Sequence, residues 1–233
     1  MEDASHVLLA GLRNNRLLAI IRGNSPDACF NTAMTLIDAG ITIVEVSLTT
    51  AGAFDVIGRI AEASSGRALL GAGTVLTSGQ VREAHDAGAQ FIVTPCLAPS
   101  TGEARSLGLP VLVGALTPAE VYAAWREGAT AVKLFPASVG GPAYLKALRD
   151  PFPEIPFVPV GGVSADSVTG YLQAGALAVG AGSPLTGDAP RGGSLAALAE
   201  RARNLIALAQ EGRALAVSLD SSQHAEGRHQ WTS

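Results

Sequence analysis

The sequence is poor in the residues that mark specialised environments. Its two cysteines, Cys29 and Cys96, are too few for a disulfide framework and stand in no metal-binding spacing. Charged residues make up only 15 %, the net charge is −4, and no Lys/Arg run occurs, so neither nucleic acid nor an anionic membrane is an expected partner. That balance still leaves room for a local basic pocket suited to a small phosphate. Apolar runs stay short of the about 18 residues that would suggest a transmembrane helix. Met1-Glu2-Asp3-Ala4 is acidic and lacks the basic start and apolar core of a signal peptide, so a reducing cytoplasm is the expected setting. The four histidines, His6, His85, His224 and His229, all lie away from the ends of apolar runs. A zinc-dependent or Ser-His-Asp mechanism would lack its ligands or base where it needs them. There is no Gly-x-x-x-x-Gly-Lys-Ser/Thr loop to indicate nucleotide hydrolysis.

What the chain has in quantity is small and apolar residues: 48 % are hydrophobic and 27 of 233 are glycine. They fall into a repeat. A small residue and a glycine close a helical segment, and a short apolar run follows: Ala39-Gly40 before Ile43-Val44-Glu45-Val46, Ala87-Gly88 before Phe91-Ile92-Val93-Thr94, Glu127-Gly128 before Ala131-Val132-Lys133-Leu134-Phe135. Gly88, Gly108 and Gly128 are spaced 20 residues apart, room for one helix, one tight turn and one strand. Glycine suits the left-handed residue that ends a helix. The apolar runs are continuous rather than alternating, as strands buried on both faces require. Strands are expected over residues 17–22, 43–46, 69–73, 91–94, 111–114, 131–135, 157–161 and 177–180. Eight alternating units predict an α/β fold, a (β/α)8 TIM barrel filling residues 1–217 as a single domain. Residues 1–15 read as a leading helix over the barrel bottom and 194–216 as the last helix. Residues 218–233, polar and aperiodic, read as a disordered tail.

Such barrels carry their active sites at the C-terminal ends of the strands. Of the 16 basic residues only Lys133 and Lys146 are lysines, and Lys133 sits inside an apolar run. Arginine keeps its proton at ordinary pH, whereas a lysine withdrawn from water can release its own and attack a carbonyl. Glu45 occupies the matching place in the second strand, on the face shared by Ile43 and Ser47. If both face the interior, an amine and a proton-carrying carboxylate meet, the pair Schiff-base aldol chemistry needs. A structural ion pair is the plainer reading of the same two residues. Gly161-Gly162 and Gly180-Ala181-Gly182-Ser183 close the seventh and eighth strands, where barrels commonly hold phosphate on backbone amides and a short helix start. Tight turns also use glycine. Arg22, after the first strand, could meet a carboxylate or phosphate or simply face solvent. Thr74 and Pro95-Cys96 follow the third and fourth strands and should line the same mouth, with Cys96 a bystander.

Taken together, Ala19-Ile20-Ile21-Arg22-Gly23, Val44-Glu45-Val46, Gly71-Ala72-Gly73-Thr74-Val75, Ile92-Val93-Thr94-Pro95, Val132-Lys133-Leu134-Phe135-Pro136 and Gly161-Gly162-Val163 resemble one family. It is the 2-keto-3-deoxy-6-phosphogluconate (KDPG) aldolase family, which includes 4-hydroxy-2-oxoglutarate (KHG) and 2-keto-3-deoxy-6-phosphogalactonate (KDPGal) aldolases; the likeness spans residues 17–185. The resemblance implies that Lys133 forms the Schiff base and Glu45 is the general acid/base. It also implies that Thr74 and Pro95 contact the pyruvate part, that Phe135 packs beside the site, and that Gly161, Gly162, Gly182 and Ser183 hold the phosphate. It implies no metal or organic cofactor, a homotrimer, and reversible cleavage of a phosphorylated 2-keto acid to pyruvate and glyceraldehyde 3-phosphate. Two positions depart from the gluconate pattern: Thr49 stands where many members carry arginine, and Val160 where a threonine commonly precedes the Gly-Gly. Galactonate-type members resemble this chain at Val160. A phosphosugar isomerase or synthase without a covalent intermediate, and a non-catalytic phosphosugar-binding barrel, are the competing expectations.

Overall fold

The computed structural model describes residues 3–226, with side-chain surroundings followed through Glu211. Eight strands alternate with helices: β1 (Leu17–Ile21), β2 (Ile43–Ser47), β3 (Leu69–Gly73), β4 (Phe91–Val93), β5 (Val111–Ala115), β6 (Ala131–Leu134), β7 (Phe157–Pro159) and β8 (Val179–Ala181). All neighbours pair in parallel, in the order β7-β6-β5-β4-β3-β2-β1-β8. The two ends of this sheet meet through a Val160–Gly180 bridge and a 2.9 Å bond from the Leu177 amide to the Phe157 carbonyl. The result is the nearly closed (β/α)8 barrel that the repeat predicts.

Side-chain alternation explains why the strands read as continuous apolar runs. Leu18, Ile20, Ile43, Phe91, Val93, Leu112, Ala131 and Val158 form one buried cluster on the barrel axis. The residues between them, among them Ala19, Ile21, Val44, Val46, Ile92, Val113 and Val132, form a second cluster beneath the helices. Large and small residues alternate on the axis: a Cβ on Gly71 would overlap the Phe91 ring, and one on Gly180 would reach 2.6 Å from Val160 Cγ2. The bottom is closed by α1 (Ala4–Asn15), whose Leu8 and Leu12 join the axial cluster.

The helices begin and end as their sequences dictate. Ser25 accepts the Ala28 amide ahead of α2 (Pro26–Asp38), with proline in its first turn. Thr77–Gln80 and Thr117–Glu120 make reciprocal capping boxes for α4 (Ser78–Asp86) and α6 (Pro118–Arg126). Gly40, Gly88, Gly108, Gly128 and Gly175, the glycines of the repeat, all take positive φ. Differences from the sequence reading lie at element ends. Strand β7 is shorter than the sequence reading, Phe157–Pro159, with Val160 adding one bridge to Gly180 and an amide bond to the Leu134 carbonyl before the positive-φ glycines turn away. The final helix, α10 (Leu195–Glu226), continues beyond 216. Of the segment expected to be a disordered tail, residues 227–233 lie outside the described residues. No helix among the described residues is long and apolar enough to cross a membrane.

Candidate active site

Lys133 and Glu45 are the two charged side chains placed inside the barrel, exposed by only 5 % and 1 %. Strand register explains their position. Glu45 pairs with Ile20 on β1 and Gly71 on β3, while Lys133 pairs with Gly114 on β5 and Val158 on β7. Glu45 follows Ile43 by two residues and Lys133 follows Ala131 by two, so both share the axial face, one layer above the apolar cluster. Glycines make room for Glu45 and for the turn after β4. A Cβ on Gly73 would overlap the Glu45 carboxylate, and one on Gly114 would overlap the Pro95 carbonyl.

Burial pushes the Glu45 carboxyl above its ordinary value of 4.5, and the charges of Lys133 and then Arg22 oppose that rise. Its Oε2 has no hydrogen-bond partner among the described residues. No ion pair within 4.0 Å joins Glu45 to Lys133 among those residues, so a direct structural salt bridge does not explain the pair. A buried carboxylate left partly unpaired is costly, and such groups concentrate where chemistry uses them. Lys133 Nζ stands 5.1 Å from the centre of the Phe135 ring.

Around this pair the strand ends form a mouth with two sides. On one side lie hydroxyls: Ser47 Oγ is 2.9 Å from Thr49 Oγ1 and 3.0 Å from Thr74 Oγ1. Thr74 has φ 58°, in the left-handed region a threonine seldom occupies. Strained residues of this sort cluster at functional sites. The neighbouring Pro95 turn is fixed from below, where the Gly114 amide donates to Thr94 Oγ1 at 3.4 Å.

On the other side is a cleft of about 360 Å³, which brings together Arg22, Phe135, Gly161, Gly162, Gly182 and Ser183. Gly161 and Gly162 have φ of 91° and 78°; side chains there would press on Phe135 and on Ser138. The amides of Gly162, Val163 and Ser183 have no hydrogen-bond partner among the described residues. These convergent donors suit an oxyanion. The helix after β8 has only four residues, Ser183–Thr186, so the individual amides matter rather than a helix dipole. Lys133 and Glu45 are not in the wall of this cleft. They adjoin it through Phe135 and through Ile20, the register partner of Glu45.

Of the eleven residues singled out from the sequence, Glu45 and Lys133 lie within their strands inside the barrel and the other nine lie at or just past strand ends, six of the eleven lining the cleft. Sequence reading missed Ser47 as the hub of the hydroxyls, although parity placed it on the face of Glu45. It also missed Thr186 and Arg191, both in the cleft wall. The signal for Arg191 was its setting in Gly187-Asp188-Ala189-Pro190-Arg191-Gly192-Gly193, a glycine-bounded segment just past the last strand.

Comparison with known proteins agrees with this geometry. Residues 9–191 match the family described as KDPG and KHG aldolase. The 2-dehydro-3-deoxy-6-phosphogalactonate aldolase of Escherichia coli (strain K12) is 38 % identical over 171 residues, 72 % of this chain and 83 % of that one. A solved structure described as native KDPGal shares 35 % identity at a TM-score of 0.79, covering 84 % of this chain and 95 % of that one. KDPG aldolase from Legionella pneumophila, solved with pyruvate captured at low pH as a covalent carbinolamine intermediate, shares 26 % identity at a TM-score of 0.78 over 84 % and 97 %. With matches spanning most of the barrel at both levels, this chain belongs to the KDPG and KHG aldolase family.

Proposed function

We propose that the chain is a class I aldolase that cleaves a 2-keto-3-deoxy-6-phospho sugar acid, of gluconate or galactonate type, to pyruvate and glyceraldehyde 3-phosphate. The observation that carries this reading is the pair inside the barrel, a buried amine at Lys133 and a buried carboxyl at Glu45 that burial pushes above its ordinary pKa. The Lys133 amine adds to the C2 carbonyl of the keto acid, and the carbinolamine loses water to give an iminium. The C3–C4 bond then breaks, its electron pair moving into the iminium to form an enamine, while Glu45 takes the proton of the C4 hydroxyl. The aldehyde leaves, the enamine gains a proton at C3, and water hydrolyses the imine to pyruvate and free Lys133. A carboxyl whose pKa is raised by burial is better suited to take and return a proton than an ordinary exposed one.

The rest of the mouth supports binding. Thr74 and Pro95, with Ser47 and Thr49 beside them, offer hydroxyls and a turn to the pyruvate part. Phe135 packs beside the imine, and Arg22 with the Gly161-Gly162 and Gly182-Ser183 turns receives the phosphate. Val160 gives the cleft wall an apolar side chain where a hydroxyl would otherwise reach the sugar. A phosphosugar isomerase, synthase or binding barrel is not favoured, since the relatives named above are aldolases. KHG, which carries no phosphate, is the expected lesser substrate. The same resemblance underlies our reading of the chain as a cytoplasmic homotrimer, which sedimentation of the purified protein tests.

Borohydride reduction with pyruvate, followed by peptide mass spectrometry, tests the mechanism. An adduct on Lys133, absent from Lys133→Arg, is the expected result. Intact folded protein with excess pyruvate and no adduct would overturn it.

A further inference from the structure

We propose that Arg191 is a second guanidinium on the substrate phosphate and sets the preference for phosphorylated over unphosphorylated 2-keto acids. This rests on the aldolase reading for the identity of the substrate. The phosphate contact itself rests on the cleft.

Arg191 and Arg22 line the same cleft as Gly162 and Ser183, whose amides lack partners. Several other arginines are engaged: Arg59 with Asp27 and Asp55, Arg67 with Asp38, Arg82 with Glu103, and Arg105, Arg149 and Arg201 on backbone carbonyls. The guanidiniums of Arg22 and Arg191 make no hydrogen bond or ion pair among the described residues. Asp188 is close in sequence to Arg191, but its carboxylate lies over Gly193, where a Cβ would overlap it. Two uncommitted guanidiniums beside open amides form a site for a dianion.

The backbone that carries Arg191 is held in place. Gly23 follows Arg22, and a Cβ there would overlap the Pro190 carbonyl; Cys29 Sγ donates to that carbonyl at 3.6 Å. The turn Ala189–Arg191 closes with the Arg191 amide on the Asp188 carbonyl at 2.9 Å and the Gly192 amide on the Ala189 carbonyl at 3.0 Å. The loop after β1 and the segment after β8 are thus packed together, and the two arginines arrive at one cleft from opposite ends of the chain. An unphosphorylated keto acid would leave both unused.

The test compares Arg191→Gln and Arg191→Lys with the parent protein. The readout is the ratio of kcat/KM for a phosphorylated 2-keto-3-deoxy acid to that for KHG, together with inorganic phosphate binding by calorimetry. A charge-assisted contact of this type predicts a fall of about tenfold or more in the ratio for Arg191→Gln. Phosphate affinity should fall in parallel, and Arg191→Lys should recover most of both. An unchanged ratio would overturn the assignment, including the case in which both substrates lose rate equally and Arg191 merely steadies the loop. If the parent protein gives no pyruvate adduct on Lys133, the aldolase reading fails instead, and phosphate calorimetry still decides the role of Arg191.

Discussion

Glu45 shows how much a single glycine can control. Its carboxylate occupies the space where a side chain at position 73 would begin. Gly73→Ala should displace that carboxylate, and because Cδ and Cγ of this buried side chain are overlapped as well, the fold should survive at some cost in stability. A displacement near 1 Å at a reacting group costs on the order of 100-fold in rate. We expect kcat to fall by about that factor with an unchanged circular dichroism spectrum; a kcat near that of the parent would mean Glu45 does not move the proton. Glu45→Gln separates function from stability. It should slow exchange of the pyruvate methyl protons while leaving the Lys133 imine able to form. Because burial raises the folded-state pKa of Glu45, the folded protein holds this proton more tightly than the unfolded chain does. The stability linked to that proton is full below about pH 4.5 and declines as pH rises through the folded value. The Gln variant should therefore be more stable than the parent at pH 7, with the gap closing toward pH 4.5. Urea melts at both pH values measure this, and a gap that widened on acidification would contradict the sign.

Among the elements, the loops after β6 and β7 form one unit. The Ala137 amide bonds the Val160 carbonyl at 2.8 Å and the Ser138 amide bonds the Gly161 carbonyl at 3.0 Å. Tyr171, buried on α8 (Ala165–Gln173), donates its hydroxyl to the Ala137 carbonyl at 2.9 Å. Tyr171→Phe should cost about 0.5–1.5 kcal/mol, because it removes the shorter of two bonds to the Ala137 carbonyl, which keeps the Gly140 amide at 3.4 Å. It should also raise KM for the phosphorylated substrate through slackening of Gly161 and Gly162. A thermal melt and a KM comparison check both, and an unchanged KM would show that the two loops are independent. At this scale the sequence was legible where local rules act, as in the glycine helix ends, the proline starts and the eight apolar runs. It was not legible where pairing with a neighbour decides. The end of β7 depends on how far β6 and β8 pair with Val160, and the hydroxyl trio depends on β2 and β3 lying side by side. The prominence of Arg191 depends on Gly23 touching Pro190, far away in sequence.

For the molecule as a whole, the barrel separates its labours between its ends. Leu12 is fully buried at the bottom, while the chemistry lies at the top. Leu12→Ala should destabilise by about 2–5 kcal/mol with kcat unchanged at temperatures where the protein stays folded. A large kcat loss there would show that the plug reaches the site. The sequence by itself determined the barrel, through the helix-strand period and the two-sided apolar runs, and it placed Lys133 and Glu45 on strands, because those patterns are local and repeat. Only the tertiary structure decided that the two share the barrel interior, that Gly73 leaves space for the Glu45 carboxylate, and that Arg191 comes to the cleft beside Arg22. Closure of the sheet brings the first and last strands together, and no local pattern encodes a contact across that distance.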